Sequence, residues 1–216
     1  MSTVKINRKE THSHHFSSMD QEHEAGKQGV WLFMVTELMM FGGLFVGYFI
    51  YRGLHYDAWY EGGSLLDWRL GAFNTLVLLV SSFTMAQAVT DTMQGNNKKA
   101  LRNVIITTAC AFIFLIVKYF EYSGKIHHGL FPGFDLWTYE GQTGENLRLF
   151  FVLYFVMTGL HGLHIIIGIG LMFWLIKRLR RDDFNEKYYT SVEGVGLYWH
   201  IVDLIWIYLF PLMYLI

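Results

Sequence analysis

Charge is scarce in this chain. Lys, Arg, Asp and Glu make up 16% of its 216 residues, against roughly 25% in an ordinary soluble domain. There is a single cysteine, Cys110, which excludes an internal disulfide and any metal site built from cysteines alone. It stands in an apolar run and reads as a small packing residue. Only two prolines occur, and a formal net charge of −1 gives no sign of a nucleic-acid or acidic partner. No cleavable signal is expected either, because the N-terminus is polar and the first apolar run is long enough to span a bilayer.

Apolar and aromatic residues fill the space that charge leaves. They account for 53% and 18% of the chain, with ten methionines and seven tryptophans, and the mean hydropathy is +0.28. This composition predicts an all-α integral membrane protein. A span needs about 20 mainly apolar residues, and five segments qualify: approximately 30–51, 70–90, 103–122, 149–176 and 193–215. The fourth is longer than a straight crossing requires and is expected to tilt or protrude. No internal repeat, heptad seam or low-complexity tract is evident. The expected organisation is a soluble tail, 1–28, followed by one five-span membrane bundle, 29–216.

Basic residues set the expected orientation. Lys5, Arg8, Lys9, Lys27, Lys98, Lys99, Arg102, Lys177, Arg178, Arg180, Arg181 and Lys187 fall on the side of the N-terminus. The other side and the end of the third span hold only Arg52, Arg69, Lys118, Lys125 and Arg148. That bias places the N-terminus in the cytoplasm and the C-terminus outside. The loop after the third span, "SGKIHHGLFPGFDLWTYEGQTGEN", then becomes the largest external feature.

Ionisable groups lie deep in three spans. The first span, "VWLFMVTELMMFGGLFVGYF", carries Glu37; the fourth carries His161 and His164 in "TGLHGLH"; the last carries Glu193, His200 and Asp203. Such residues are costly in hydrocarbon and face protein or a polar cavity. Helical spacing puts Thr158, His161, His164 and Gly168 on one broad face, and Glu193, Gly196, His200 and Asp203 on another. At ~1.5 Å per residue, Glu37 is roughly 10 Å deep, His200 about 10–12 Å and His164 about 18 Å. These depths predict a polar layer joining the first, fourth and fifth spans.

Histidines three apart on a helix can ligate a metal, but bundle metal sites add Glu-x-x-His elements from neighbouring helices. The neighbouring spans have none, so hydrogen bonding is the expected role of His161 and His164, with no metal site. The N-terminal "HSHHF" reads as a solvated cluster, and His127 and His128 as loop surface. Gly43 and Gly47 form a GxxxG near Gly42, and Gly159, Gly162, Gly168 and Gly170 line the fourth span. Small residues let helix backbones approach in lipid, so ordinary packing within the bundle is expected of them.

Four stretches, in order, resemble one family. "GVWLFMVTELMMFGGLF", "KYFEYSGKI" with Lys118 and Glu121, "FVMTGLHGLHIIIGIG" and "GLYWHIVDLIWIYLFPLMYL" are similar to subunit III of haem–copper cytochrome c oxidases. The resemblance covers about residue 27 to 216. It implies the short five-span form found in prokaryotes, and so a prokaryotic plasma membrane, of a subunit whose members often have seven spans. It further implies a non-catalytic core subunit of an aa3-type terminal oxidase in aerobic respiration, which stabilises subunit I and supports proton uptake. Such a subunit has no cofactor of its own; haem and copper belong to partner subunits, and a cleft between helices holds phospholipid. Subunit I is the main implied partner, with subunit II, other subunits, membrane lipid and a supercomplex with a quinol-oxidising complex as further ones. The resemblance carries structural or proton-linked roles to Glu37, His161, His164, Glu193, Trp199, His200 and Asp203.

Other readings compete. The same subunit type serves quinol oxidases, although Glu37 and Glu193 together favour the cytochrome c branch. A stand-alone proton transporter would need a water route through this chain alone. A membrane metalloenzyme would need His161 and His164 to hold a metal. For Glu37 itself, the sequence favours fixing helix packing over carrying protons.

Overall fold

The computed structural model describes residues 19–133, 136–139, 143–182, 184 and 189–216, without the side chains of 19, 20, 22 and 23. Its described residues form six α-helices: α1 (Met19–Leu54), α2 (Tyr56–Ser64), α3 (Trp68–Met93), α4 (Asn97–His127), α5 (Glu145–Leu179) and α6 (Thr190–Tyr214). All but α2 are long and apolar enough to cross a membrane. The apolar runs therefore mark the spans, but the helices outlast them. α1 begins at Met19, so residues 19–28 of the expected tail are already helical. Residues 1–18, with the "HSHHF" cluster, lie outside the described residues.

Aromatic belts place the bilayer. Exposed Trp31 and Tyr51 mark the two ends of the apolar stretch of α1. The stretch between them is about 30 Å long, the thickness of the hydrocarbon layer. Trp174, with the Arg178 guanidinium 5.1 Å from its ring centre, stands near the end of α5. Such amphipathic rings and basic heads anchor spans at the headgroup level.

α3 and α4 form a tight hairpin. Gly95 makes the turn with φ of +72°, a conformation that costs glycine little. Inside the hairpin, the Thr84 and Thr107 hydroxyls meet at 2.7 Å, and Asn103 donates to Asp91 at 2.8 Å. α6 lies against both α3 and α5, where glycines permit close approach. A Cβ on Gly168 would stand 2.6 Å from Cζ3 of Trp199, and one on Gly196 would stand 2.9 Å from Val89.

α1 packs at the edge. Its buried residues in the membrane are Met34, Phe41 and Tyr48, each two turns beyond the last. The spacing is that of a narrow heptad seam, although the sequence alone shows none. Glu37 sits one turn from Met34 on this seam, which turns its carboxyl toward α5 and away from lipid. The GxxxG expectation needs correcting: a Cβ at Gly42, Gly43 or Gly47 would meet nothing within 4 Å. Those glycines face outward because the seam runs along the opposite stripe of α1. Gly162 and Gly170 are likewise open, and a Cβ on Gly159 would find only the Tyr122 hydroxyl, at 3.8 Å.

The short α2 caps the bundle on the side opposite the N-terminus. Its Trp59 is fully buried and meets the Phe150 ring edge-on at 5.7 Å. Glu61 accepts from both the backbone N–H and the hydroxyl of Thr143, and Lys125 donates to the Leu65 carbonyl. Together these hold the loops on that side against the helix ends.

Candidate functional site

The deepest acid on α1 is met by a histidine on α5. Oε2 of Glu37 lies 2.8 Å from Nε2 of His164. The other ring nitrogen, Nδ1, lies 2.7 Å from the Leu160 carbonyl. A carbonyl can only accept, so Nδ1 carries a proton. A second proton is then shared between Nε2 and the carboxyl, and the pair is net neutral wherever that proton rests. This removes most of the cost of an acid in hydrocarbon. The side chains of His164 and Glu37 are only 9% and 13% exposed, so the helices enclose most of the pair. Phe41 packs edge-on to the imidazole at 5.5 Å, and the Tyr198 hydroxyl donates to the His164 carbonyl at 2.9 Å. Helices α1, α5 and α6 meet here.

The remaining sequence-selected residues divide among other contacts. His200 uses Nδ1 to bond the Ser82 hydroxyl of α3 at 2.7 Å, so its hydrogen bond belongs to the α3–α6 contact. Trp199 donates to Ser81 at 3.0 Å. Glu193 forms an ion pair with Lys27 at 3.2 Å, fastening the start of α6 to α1. His161 and Asp203 are buried in the core without a hydrogen-bond partner among the described residues. His127 lies in the last turn of α4 and His128 caps it, both exposed. The described residues hold no group of three or more His, Cys, Asp and Glu side chains suited to a metal ion.

A second buried network joins α4, α5 and α6 toward the opposite membrane face. Lys118 donates to Glu121 at 3.1 Å and to the Tyr214 hydroxyl at 2.6 Å. The other carboxylate oxygen of Glu121 accepts from Tyr154 at 2.9 Å and from Tyr214 at 2.6 Å. The ammonium also lies 4.8 Å from the Trp206 ring centre, close enough for a cation–π contribution. Charge is neutralised locally and every strong donor is used. In the sequence, Glu121 enters only through the family resemblance, and Lys118 through that and the count of basic residues. Their i, i+3 spacing near a span end is the signal that could have marked them as a site. No such signal exists for Tyr154 and Tyr214, which come from distant helices.

Between α1, α5 and α6, on the N-terminal side, lies an apolar groove of about 540 Å³. Val30, Phe33, Ile167, Trp174 and Tyr198 wall it, together with Gly26 and Gly194.

Inward-turned polar pairs, five spans and an open apolar groove define a multi-pass helical membrane protein whose polar groups brace helices against one another. The model of the family described as cytochrome c oxidase subunit III matches residues 6–128 and 146–216. The chain belongs to that family, and with it to the subunits of haem–copper oxidase complexes. It is 34% identical over 189 residues to cytochrome c oxidase subunit 3 of Thermostichus vulcanus, covering 87% of this chain and 86% of that protein. It is 27% identical to a probable quinol oxidase subunit 3 of Staphylococcus saprophyticus, covering 94% of this chain and 96% of that protein. It is also 29% identical to a haem–copper oxidase subunit I+III of Aeropyrum pernix, covering 88% of this chain and 22% of that protein.

Proposed function

We propose that the chain is the supporting subunit III of a terminal cytochrome c oxidase, bracing subunit I and the proton-uptake side of the complex. The observation that carries this reading is the family match through all five spans, combined with polar networks that tie those spans to each other. Glu37–His164 and Lys118–Glu121 are closed on themselves, as befits braces. Oxygen reduction then belongs to haem and copper in partner subunits, and this chain's residues contribute position and shielding. The relative that fuses subunits I and III supports subunit I as the neighbour; subunit II and a supercomplex with a quinol-oxidising partner extend the same proposal. Basic residues such as Lys98, Lys99, Arg102 and Arg178 support a cytoplasmic N-terminus in a prokaryotic plasma membrane.

Phospholipid is the proposed occupant of the apolar groove, with acyl carbons against Phe33 and Ile167 and the headgroup level marked by Trp174 and Arg178. The quinol oxidase relative supports a second reading, in which the complex takes electrons from quinol. Purification of the tagged chain in mild detergent tests the main proposal. A haem-bearing partner with an oxidase spectrum should copurify, and turnover with reduced cytochrome c or quinol separates the two donors. Recovery of the chain with no haem protein would overturn both.

A further inference from the structure

Three polar side chains at the middle of the bundle are left over by the contacts above. Asn74 of α3 and His161 of α5 are completely buried, and Asp203 of α6 is 2% exposed. Both polar atoms of each lack a hydrogen-bond partner among the described residues. The Ser82 hydroxyl, 2.7 Å from His200 Nδ1, also lies beside Asp203, but its one proton can serve only one of the two and leaves at least one carboxyl oxygen without a protein donor.

The three lie within about one helical turn of each other along the bundle. Trp206 donates to Thr75, the residue after Asn74. The same indole lies 5.2 Å from the His161 ring, and Asp203 stands one turn before Trp206 on α6. Burial here is by this chain alone, so no neighbouring subunit can reach in to supply the missing bonds. A metal ion has too few ligands, since no cluster of three suitable side chains exists among the described residues. What remains must be small, and must both donate and accept, because the asparagine amide, the imidazole and the carboxyl present both kinds of group. Buried polar groups that protein does not satisfy are characteristically met by internal water.

We propose that ordered water occupies this level, bridging Asp203 to His161 and Asn74. The hydrated seam lies between two polar features already described. Trp206, which borders it, also touches the Lys118 ammonium, and the Ser82–His200 pair lies one turn of α6 away. Water here keeps the Asp203 carboxyl group hydrogen-bonded while it remains out of contact with lipid. This inference concerns the chain's own interior and holds whichever electron donor the complex uses.

A density map of the assembled complex, sharp enough to show ordered solvent, tests it. At least one water should lie within hydrogen-bond distance of Asp203 and of either His161 or Asn74. Infrared spectra of the same complex give an independent readout. The carboxyl band lost in Asp203→Asn should shift when the wild-type complex is moved into D2O. Direct bonds among the three side chains with no solvent between them would overturn the proposal. So would a salt-dependent peak with the coordination of a cation, or a carboxyl band that never shifts.

Discussion

Replacing Lys118 with methionine keeps the volume of the side chain and removes its charge. The change leaves Glu121 buried among α4, α5 and α6 without its ammonium. Removing one member of a buried ion pair costs about 3–5 kcal/mol, because the remaining charge stays desolvated. Here Tyr154 and Tyr214 still donate to one carboxylate oxygen, at 2.9 and 2.6 Å. We therefore expect the lower end of that range, about 3 kcal/mol. That is a large share of the roughly 5–15 kcal/mol that holds a typical domain folded. Glu121→Gln alone should cost a similar amount, since it leaves the ammonium with neutral partners. The double variant removes both charges and should be more stable than either single by at least about 1 kcal/mol. Detergent titration of the purified complex, followed through tryptophan fluorescence, reads these differences, with Trp206 as a local reporter 4.8 Å from the ammonium. Simple addition of the two single losses would refute the reasoning, as would a Lys118→Met chain as stable as wild type.

Other perturbations separate the remaining contacts. Glu37→Gln can still bond His164, so the assembled complex should keep substantial initial oxidase activity; Glu37→Leu strands the imidazole and should cost about 1–3 kcal/mol of stability in the same titration. Gly168→Ala forces Trp199 aside and should destabilise the chain by about 1–3 kcal/mol, whereas Gly43→Ala meets open space and should stay within roughly 0.5 kcal/mol of wild type. Lys27→Ala breaks a half-exposed pair with Glu193 and should cost no more than about 1 kcal/mol, an effect that shrinks as salt is added.

How far these contacts could be read in advance depended on where their causes lie. Spans are written in continuous apolar runs, so the five crossings were legible from 30–51 through 193–215. Helix ends were not, because polar residues such as those at 19–28 continue a helix into water without an apolar signal. The short α2 also escaped notice, since "YDAWYEGGS" carries too little hydrophobic pattern to separate it from a turn. Counting residues puts Glu37 roughly 10 Å and His164 about 18 Å deep, yet the structure joins them. The same counting puts His200 about 10–12 Å deep, level with Glu37, but its partner is Ser82. Depth fixes height in the membrane and says nothing about which neighbouring helix a side chain faces. For the same reason the glycine pattern misled: Gly43 and Gly47 share a face, yet only packing decides whether that face meets a helix.

The attachment of α1 has a consequence for how the protein is made. Tyr48 donates to the Leu212 carbonyl and Glu37 bonds His164, partners 164 and 127 residues further along the chain. Lys27 likewise waits for Glu193, in the first turn of the last helix. α1 must therefore enter the bilayer while these three partners are still unsynthesised. On insertion scales a carboxylate near the centre of a span costs about 2.5–3.5 kcal/mol, and each Leu, Ile, Phe or Val returns only about 0.3–0.6 kcal/mol. The exposed Trp31, Leu32, Phe33, Val35, Leu38, Val46, Phe49 and Ile50 thus act during biosynthesis as ballast for Glu37. They carry the acid into the membrane and hold it there until α5 arrives.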